Sequence, residues 1–163
     1  GDRATPPHLE EAVLLMRLEL TRRADYAIRA TICLAREGRG RLIPVPEIAR
    51  RMDVPRRFLP QIMQDLVQAG LVEGTPGRGG GYRLTRPPAE VSLLEVIEAV
   101  EGDARRRTCV LSSSTCEAIR PCNVHDLFAS AQDALLERLA DATVLDATGD
   151  GLRATSAVQP SGA

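Results

Sequence analysis

"VPEIARRMDVPRRFLPQIMQDLVQAGLV", residues 45 to 72, carries two helical periodicities separated by a short break. "PEIARRM" (46–52) has Pro46 at a first helical position, where its missing N–H costs nothing. "DVP" (53–55) is a turn. In "RRFLPQIMQDLVQAG" (56–70), Phe58, Leu59, Ile62, Met63 and Leu66 share one face, and Gly70 supplies a C-terminal stop. Two short helices about a tight turn form the helix-turn-helix pattern. Ala49 suits their close packing. Asp53 stands at the turn position where glycine is usual, and aspartate tolerates left-handed backbone better than most residues. Pro60 removes a donor, so the second helix is expected either to start near Phe58 or to have a distorted first turn.

Outward from this core, "LVEGT" and "YRLTR" are strand-like runs joined by "PGRGGG", which predicts a hairpin over 71–86. A hairpin directly after a helix-turn-helix is a wing. Upstream, "TRRADYAIRATICLARE" (21–37) is a helix with Thr21 at the N-cap and Cys33 on its apolar side. Downstream, "SLLEVIEAVEG" (92–102) is an amphipathic helix with Ser92 and Glu95 in capping-box positions. A long helix is predicted over 124–144, where Leu127, Ala131, Ala134, Leu135, Leu139 and Ala142 recur by threes and fours. One such stripe at a chain end needs a partner surface. The fold class is therefore mainly α with a small β-hairpin: a winged helix-turn-helix followed by a long C-terminal helix. Residues 1–15 read as an extension or tag, 16–104 as the winged domain, 105–123 as a cysteine loop, 124–145 as the long helix, and 146–163 as a disordered tail.

Of the 163 residues, 44% are apolar but only 2% aromatic, so the core is aliphatic. No run approaches a membrane span, and the start lacks a secretory h-region, so a cytoplasmic protein is expected. The net charge of −1 hides an asymmetry. Residues 17–86 hold 14 Arg against 7 acids, and residues 87–163 hold 6 Arg against 12 acids. A block of net +7 points to a polyanionic partner. All 21 basic residues are arginine, whose fork suits phosphate and guanine edges. Arg50, Arg51, Arg56, Arg57 and Gln61 cluster where a recognition helix meets the major groove of double-stranded DNA. On the wing, Arg78 and Arg83 add charge, and Gly79 and Gly80 would let bare backbone approach the duplex. The glycine string runs into a strand rather than opening a helix with Lys-Ser/Thr, which argues against a nucleotide cradle. Nothing suggests an enzyme.

"TCVLSSSTCEAIRPCNVH" (108–125) gathers Cys109, Cys116 and Cys122 with the spacing C-x6-C-x5-C, and His125 follows three residues later. Thiolates are the soft ligands of iron–sulfur clusters and zinc. Arg105, Arg106 and Arg107 would offset the charge of a thiolate-ligated centre. Three readings of the loop stand: a sensing cluster, a structural zinc site of Cys3His type, and a cluster-free thiol switch. An electron-transfer protein is a rival of another class, but it has no use for a helix-turn-helix, a wing or a basic block.

"RRADYAIRATICLA", "FLPQIMQDLVQAGLV", "GRGGGYRLTRP", "SLLEVIEAVEGD" and the three cysteines, in this order, resemble the winged-helix regulator family of IscR and NsrR over about residues 16–145. That resemblance implies a homodimer joined by the long C-terminal helices, a partly palindromic operator and an iron–sulfur cluster on each cysteine loop. The first cysteine spacing is one residue longer than the family's usual one. The resemblance offers two fourth ligands: His125, as in members with a 2Fe–2S centre, or Asp25, matching the aspartate that completes a 4Fe–4S centre across the dimer. His125, and with it 2Fe–2S, is favoured because it lies next to an existing thiolate in sequence.

Overall fold

The computed structural model describes residues 20–37, 40–102 and 124–149. The expectations for residues 1–19, for 103–123, including Cys109, Cys116 and Cys122, and for 150–163 lie outside the described residues. Helix α1 (Arg22–Glu37) is followed by α2 (Val45–Met52), a 3-10 turn (Arg56–Phe58), α3 (Leu59–Gln68), strands β1 (Val72–Thr75) and β2 (Gly81–Leu84), a second 3-10 turn (Pro88–Glu90), α4 (Leu93–Glu101), α5 (His125–Asp141) and α6 (Val144–Ala147).

Helix α1 is the hub. The Thr21 hydroxyl accepts from the Ala24 N–H at 3.2 Å, which caps its first turn. Ala24, Ala27, Ala30, Thr31, Cys33 and Leu34 are buried. This face is made mostly of small side chains, so α2, α3, α4 and β2 can all close on it. Burial raises the Cys33 thiol pKa, consistent with a small core hydrophobe.

The helix-turn-helix forms as the sequence predicts. Asp53 takes φ 53° and ψ 49°, the left-handed conformation that lets the chain leave α2. The Val54 N–H then donates to the Ala49 carbonyl at 3.1 Å. Pro60 proves compatible because the α-helix begins at Leu59 after a separate 3-10 turn, and Pro60 lies in the first turn, where no N–H is required. Both outcomes foreseen for Pro60 occur in part.

The wing pairs antiparallel with Val72 opposite Leu84, Glu73 opposite Arg83, Gly74 opposite Tyr82 and Thr75 opposite Gly81. Ile43 joins as an isolated third rung, exchanging backbone hydrogen bonds with Tyr82 at 2.8 and 2.9 Å. A Cβ added at Gly81 would lie 2.5 Å from the Ile43 carbonyl, so a bare backbone is what lets the wing dock.

Ser92 and Glu95 cap α4 reciprocally, at 2.9 and 3.1 Å. Burial disfavours the charged Glu95 carboxylate, but hydrogen bonds from the Ser92 N–H, the Arg86 guanidinium and the Ser92 hydroxyl leave its pKa below the ordinary value. A depressed carboxyl stabilises the fold above its unfolded titration range, and this support is lost as pH falls through the folded value.

The single helix predicted over 124–144 is two elements. Ala142 is extended at φ −75° and ψ 131°, and Thr143 caps the separate α6 in a box with Asp146. That Thr-x-x-Asp signal was present in the sequence but lay beneath a continuing apolar pattern. The break returns the chain to the domain: Leu93 donates to Ala142 and Val144 donates to Val91, both at 2.8 Å, and Val144 is fully buried. The first residues of the tail read as disordered, Asp146 to Gly149, are thus held, with the Arg36 guanidinium on the Thr148 carbonyl.

Gly81→Ala is expected to destabilise the domain by about 1–3 kcal/mol, because the intruding methyl meets backbone rather than a yielding side chain. Urea unfolding of the variant against the native chain measures this.

Candidate nucleic-acid interface

The turn between α2 and α3 places four arginines within a few residues. Arg50 and Arg51 end α2, and Arg56 and Arg57 form the 3-10 turn. All four are exposed, as is Gln61 on the first turn of α3. Arg78 and Gly79 lie exposed on the wing tip, between the strands. Arg83 is exposed on β2.

These cations are not equivalent. Arg51 bonds both Glu37 and Glu47 at 3.0 Å, and Arg41 joins the same Glu47 at 3.1 Å. The hydrogen bond from Arg41, more than any other contact, holds the Glu47 carboxyl below the ordinary carboxylate range. Arg83 pairs with its cross-strand neighbour Glu73 and also reaches the Gly40 carbonyl at 3.4 Å. A guanidinium committed in this way must share or break an ion pair before it meets a phosphate. Arg50, Arg56 and Arg78 form no ion pair among the described residues. Arg57 instead stacks over the Phe58 ring at 4.8 Å, and Phe58 packs against Tyr26 at 5.5 Å. This aromatic anchor orients Arg57 without neutralising it.

Gly80 has an internal reason to be glycine. A Cβ there would sit 2.2 Å from the Thr75 carbonyl oxygen, so the turn itself excludes a side chain. Gly79 adopts φ +76° with open space around it, which leaves its backbone free for a close approach. The sequence reading passed over Gln64 and Gln68. Both are exposed, and with Gln61 their helical spacing forms one polar face of α3. The signal is an i, i+3, i+7 row of glutamines, which carries no charge and so adds nothing to the basic block.

The two nominated fourth ligands stand apart in character. Asp25 accepts from the Arg29 Nε at 2.9 Å, and Arg29 also donates to the Met52 carbonyl at 3.2 Å, beside the helix-turn-helix turn. His125 is the first residue of α5 and is half-buried. Among the described residues no three metal-ligating side chains gather.

Helix α5 is the only α-helix among the described residues with no buried side chain. Leu127 is 68% exposed and Leu135 39%, whereas Leu139 packs against the domain core. Among the described residues no helix is long and apolar enough to cross a membrane.

The model of the Rrf2 family, described as an iron-dependent transcriptional regulator, matches residues 20–150. The protein named aau3 of Rhizobium meliloti (strain 1021) is 35% identical over 130 residues, covering 79% of this chain and 84% of its own length. The rrf2-like HTH-type transcriptional regulator of Rhodobacter capsulatus is 36% identical over 111 residues, covering 66% of this chain and 71% of its own length. Among solved structures, T. potens IscR shares the fold at a TM-score of 0.69 and 23% identity, covering 88% of this chain and 96% of its own.

Arg57→Ala and Arg78→Ala are expected to weaken duplex binding, each lowering the salt slope of log K by about one. Arg51→Ala should change the slope less and cost at most about 1 kcal/mol of stability, because its partners are surface carboxylates. Fluorescence anisotropy titrations at several salt concentrations, with thermal melts alongside, separate the two classes.

Proposed function

The chain belongs to the Rrf2 family of transcriptional regulators, and from that premise we propose a homodimer whose grip on its operator is set by an iron–sulfur cluster. DNA binding comes with the family. The unpaired arginines around the helix-turn-helix turn and on the wing tip are the groups that would deliver it. The dimer rests on one observation above all: α5 presents Leu127 and Leu135 to solvent and has no fully buried side chain among the described residues. A second copy of α5 is the surface that would cover them, and it would place two winged units on one palindromic site.

The cluster reading rests on the chemistry of the donor set. Three thiolates, Cys109, Cys116 and Cys122, lie between α4 and α5, and the family description is iron-dependent. Such a centre supplies redox and nitric-oxide chemistry when bound. The chain's own part is to hold it by the three cysteines, with His125 or Asp25 as fourth ligand. His125 fits by position, since it opens α5 three residues after Cys122. Asp25 fits by its link through Arg29 to the Met52 carbonyl, although its Oδ1 already accepts from Arg29. We keep His125, and so a 2Fe–2S centre, as the favoured assignment. A thiol switch without a cluster is the alternative use of the same three cysteines, and the spectrum decides between them.

Leu127→Glu with Leu135→Glu should give a folded monomer that binds operator poorly. Sedimentation that still shows a dimer would place the interface elsewhere. Leu139 is unsuitable for this test because it packs on the domain core.

Protein isolated anaerobically after iron-replete expression is expected to be brown and sensitive to oxygen or nitric oxide. Each of Cys109→Ala, Cys116→Ala and Cys122→Ala should abolish the visible absorption. His125→Ala should alter the spectrum, and Asp25→Ala should leave it unchanged. Colourless protein with one zinc per chain would replace the cluster by a structural metal, and colourless metal-free protein forming disulfides would favour the thiol switch.

A further inference from the structure

We propose that Asp65, braced by Arg23, is a positioning residue that holds Gln61 in the orientation that reads an adenine in the major groove. The inference rests on the reading of α3 as the recognition helix. Gln61 and Asp65 lie one turn apart on α3, and the Gln61 Nε2 donates to the Asp65 Oδ1 at 2.9 Å. The other carboxylate oxygen, Oδ2, takes the Arg23 Nη2 from α1. The Asp65 side chain is only 15% exposed, whereas Gln61 stands in solvent. The carboxylate is thus held from both sides and sits in the angle between two helices.

Chemistry then fixes the glutamine. A carboxylate only accepts hydrogen bonds, so Gln61 must turn its amino group toward Asp65 and its carbonyl oxygen away. One N–H is committed, which leaves one N–H and the carbonyl oxygen for a ligand. Adenine presents that complement in the major groove, with N7 as acceptor and the N6 amino group as donor. Guanine offers two acceptors, O6 and N7, which would set an oxygen against the Gln61 carbonyl. Untethered, the amide could rotate by half a turn, exchange donor for acceptor, and lose side-chain freedom on binding.

The charge of Asp65 supports the assignment. An acid on a helix that meets a polyanion opposes binding, and nothing in nonspecific affinity accounts for it. Arg23 offsets that repulsion and keeps the carboxylate in place. The burden on general affinity is explained if the residue serves discrimination instead.

The test uses the full chain and an operator duplex that it selects from a randomised duplex pool. Dissociation constants are measured for the operator, for operators with each A·T pair replaced in turn, and for a random duplex. The native chain should lose roughly tenfold or more at one A·T pair. Gln61→Ala should abolish the preference at that pair. Asp65→Leu should abolish it as well, while binding the random duplex as tightly as the native chain or more tightly. Asp65→Asn, whose single acceptor oxygen cannot serve both Gln61 and Arg23, should lose part of the preference. The Gln61→Ala, Asp65→Leu double variant should lose nothing further. Arg23 is half exposed, so Arg23→Ala should fold even if Asp65→Leu does not, and it should show an intermediate loss.

If Asp65→Leu or Arg23→Ala weakens operator and random duplex equally, the role is structural and the proposal falls. It falls also if Gln61→Ala abolishes the preference while Asp65→Leu and Arg23→Ala keep it in full. A native chain that selects no sequence would overturn the recognition-helix reading itself, and the proposal with it.

Discussion

The small face of α1 is the constraint on which the rest depends. Ala24, Ala27, Ala30, Thr31 and Cys33 leave room for several elements to approach one helix at once. Larger residues there would force the packed elements apart, since a close-packed interior has no slack to absorb them. From its more exposed positions the same helix sends out three arginines to three different units. Arg23 meets Asp65 on α3, Arg29 meets the Met52 carbonyl at the end of α2, and Arg36 meets the Thr148 carbonyl after α6. Helix α1 therefore sets where α3, the turn before it and the C-terminal return lie relative to one another.

The basic block has an internal economy that its net charge conceals. Some arginines hold the domain together through Glu37, Glu47, Glu73 and Asp65. Others, Arg50, Arg56 and Arg78 among them, form no ion pair among the described residues. The return of the chain through Val91, Leu93, Ala142 and Val144 adds a further tie. It clamps the C-terminal end of α5 to the start of α4, the two helices that flank the cysteine segment in sequence.

Much of this was legible in the sequence because it is written in local chemistry. The turn at Asp53, the Ser92–Glu95 box, the Gly-rich hairpin and the wing's strand run each depend on residues a few positions apart. Pro60 posed an ambiguity that local rules could state but not settle. A separate 3-10 turn before Leu59 resolved it, at the level of helix starts rather than helix content. The break at Ala142 was missed because the apolar pattern continued across it. What ends the helix is the backbone pairing of Ala142 and Val144 with Val91 and Leu93, about fifty residues upstream.

By itself the sequence determined the order of elements, the aliphatic core, the gathering of soft ligands and the block of positive charge. These follow from composition and short-range periodicity. Tertiary structure alone decided which arginines form ion pairs among the described residues and which do not. It decided that Gln61 is tethered by Asp65 and Arg23, and that α5 leaves Leu127 and Leu135 uncovered. An ion pair such as Arg23 with Asp65 joins residues forty-two positions apart. Its existence depends on how two helices cross, and no local pattern carries that information.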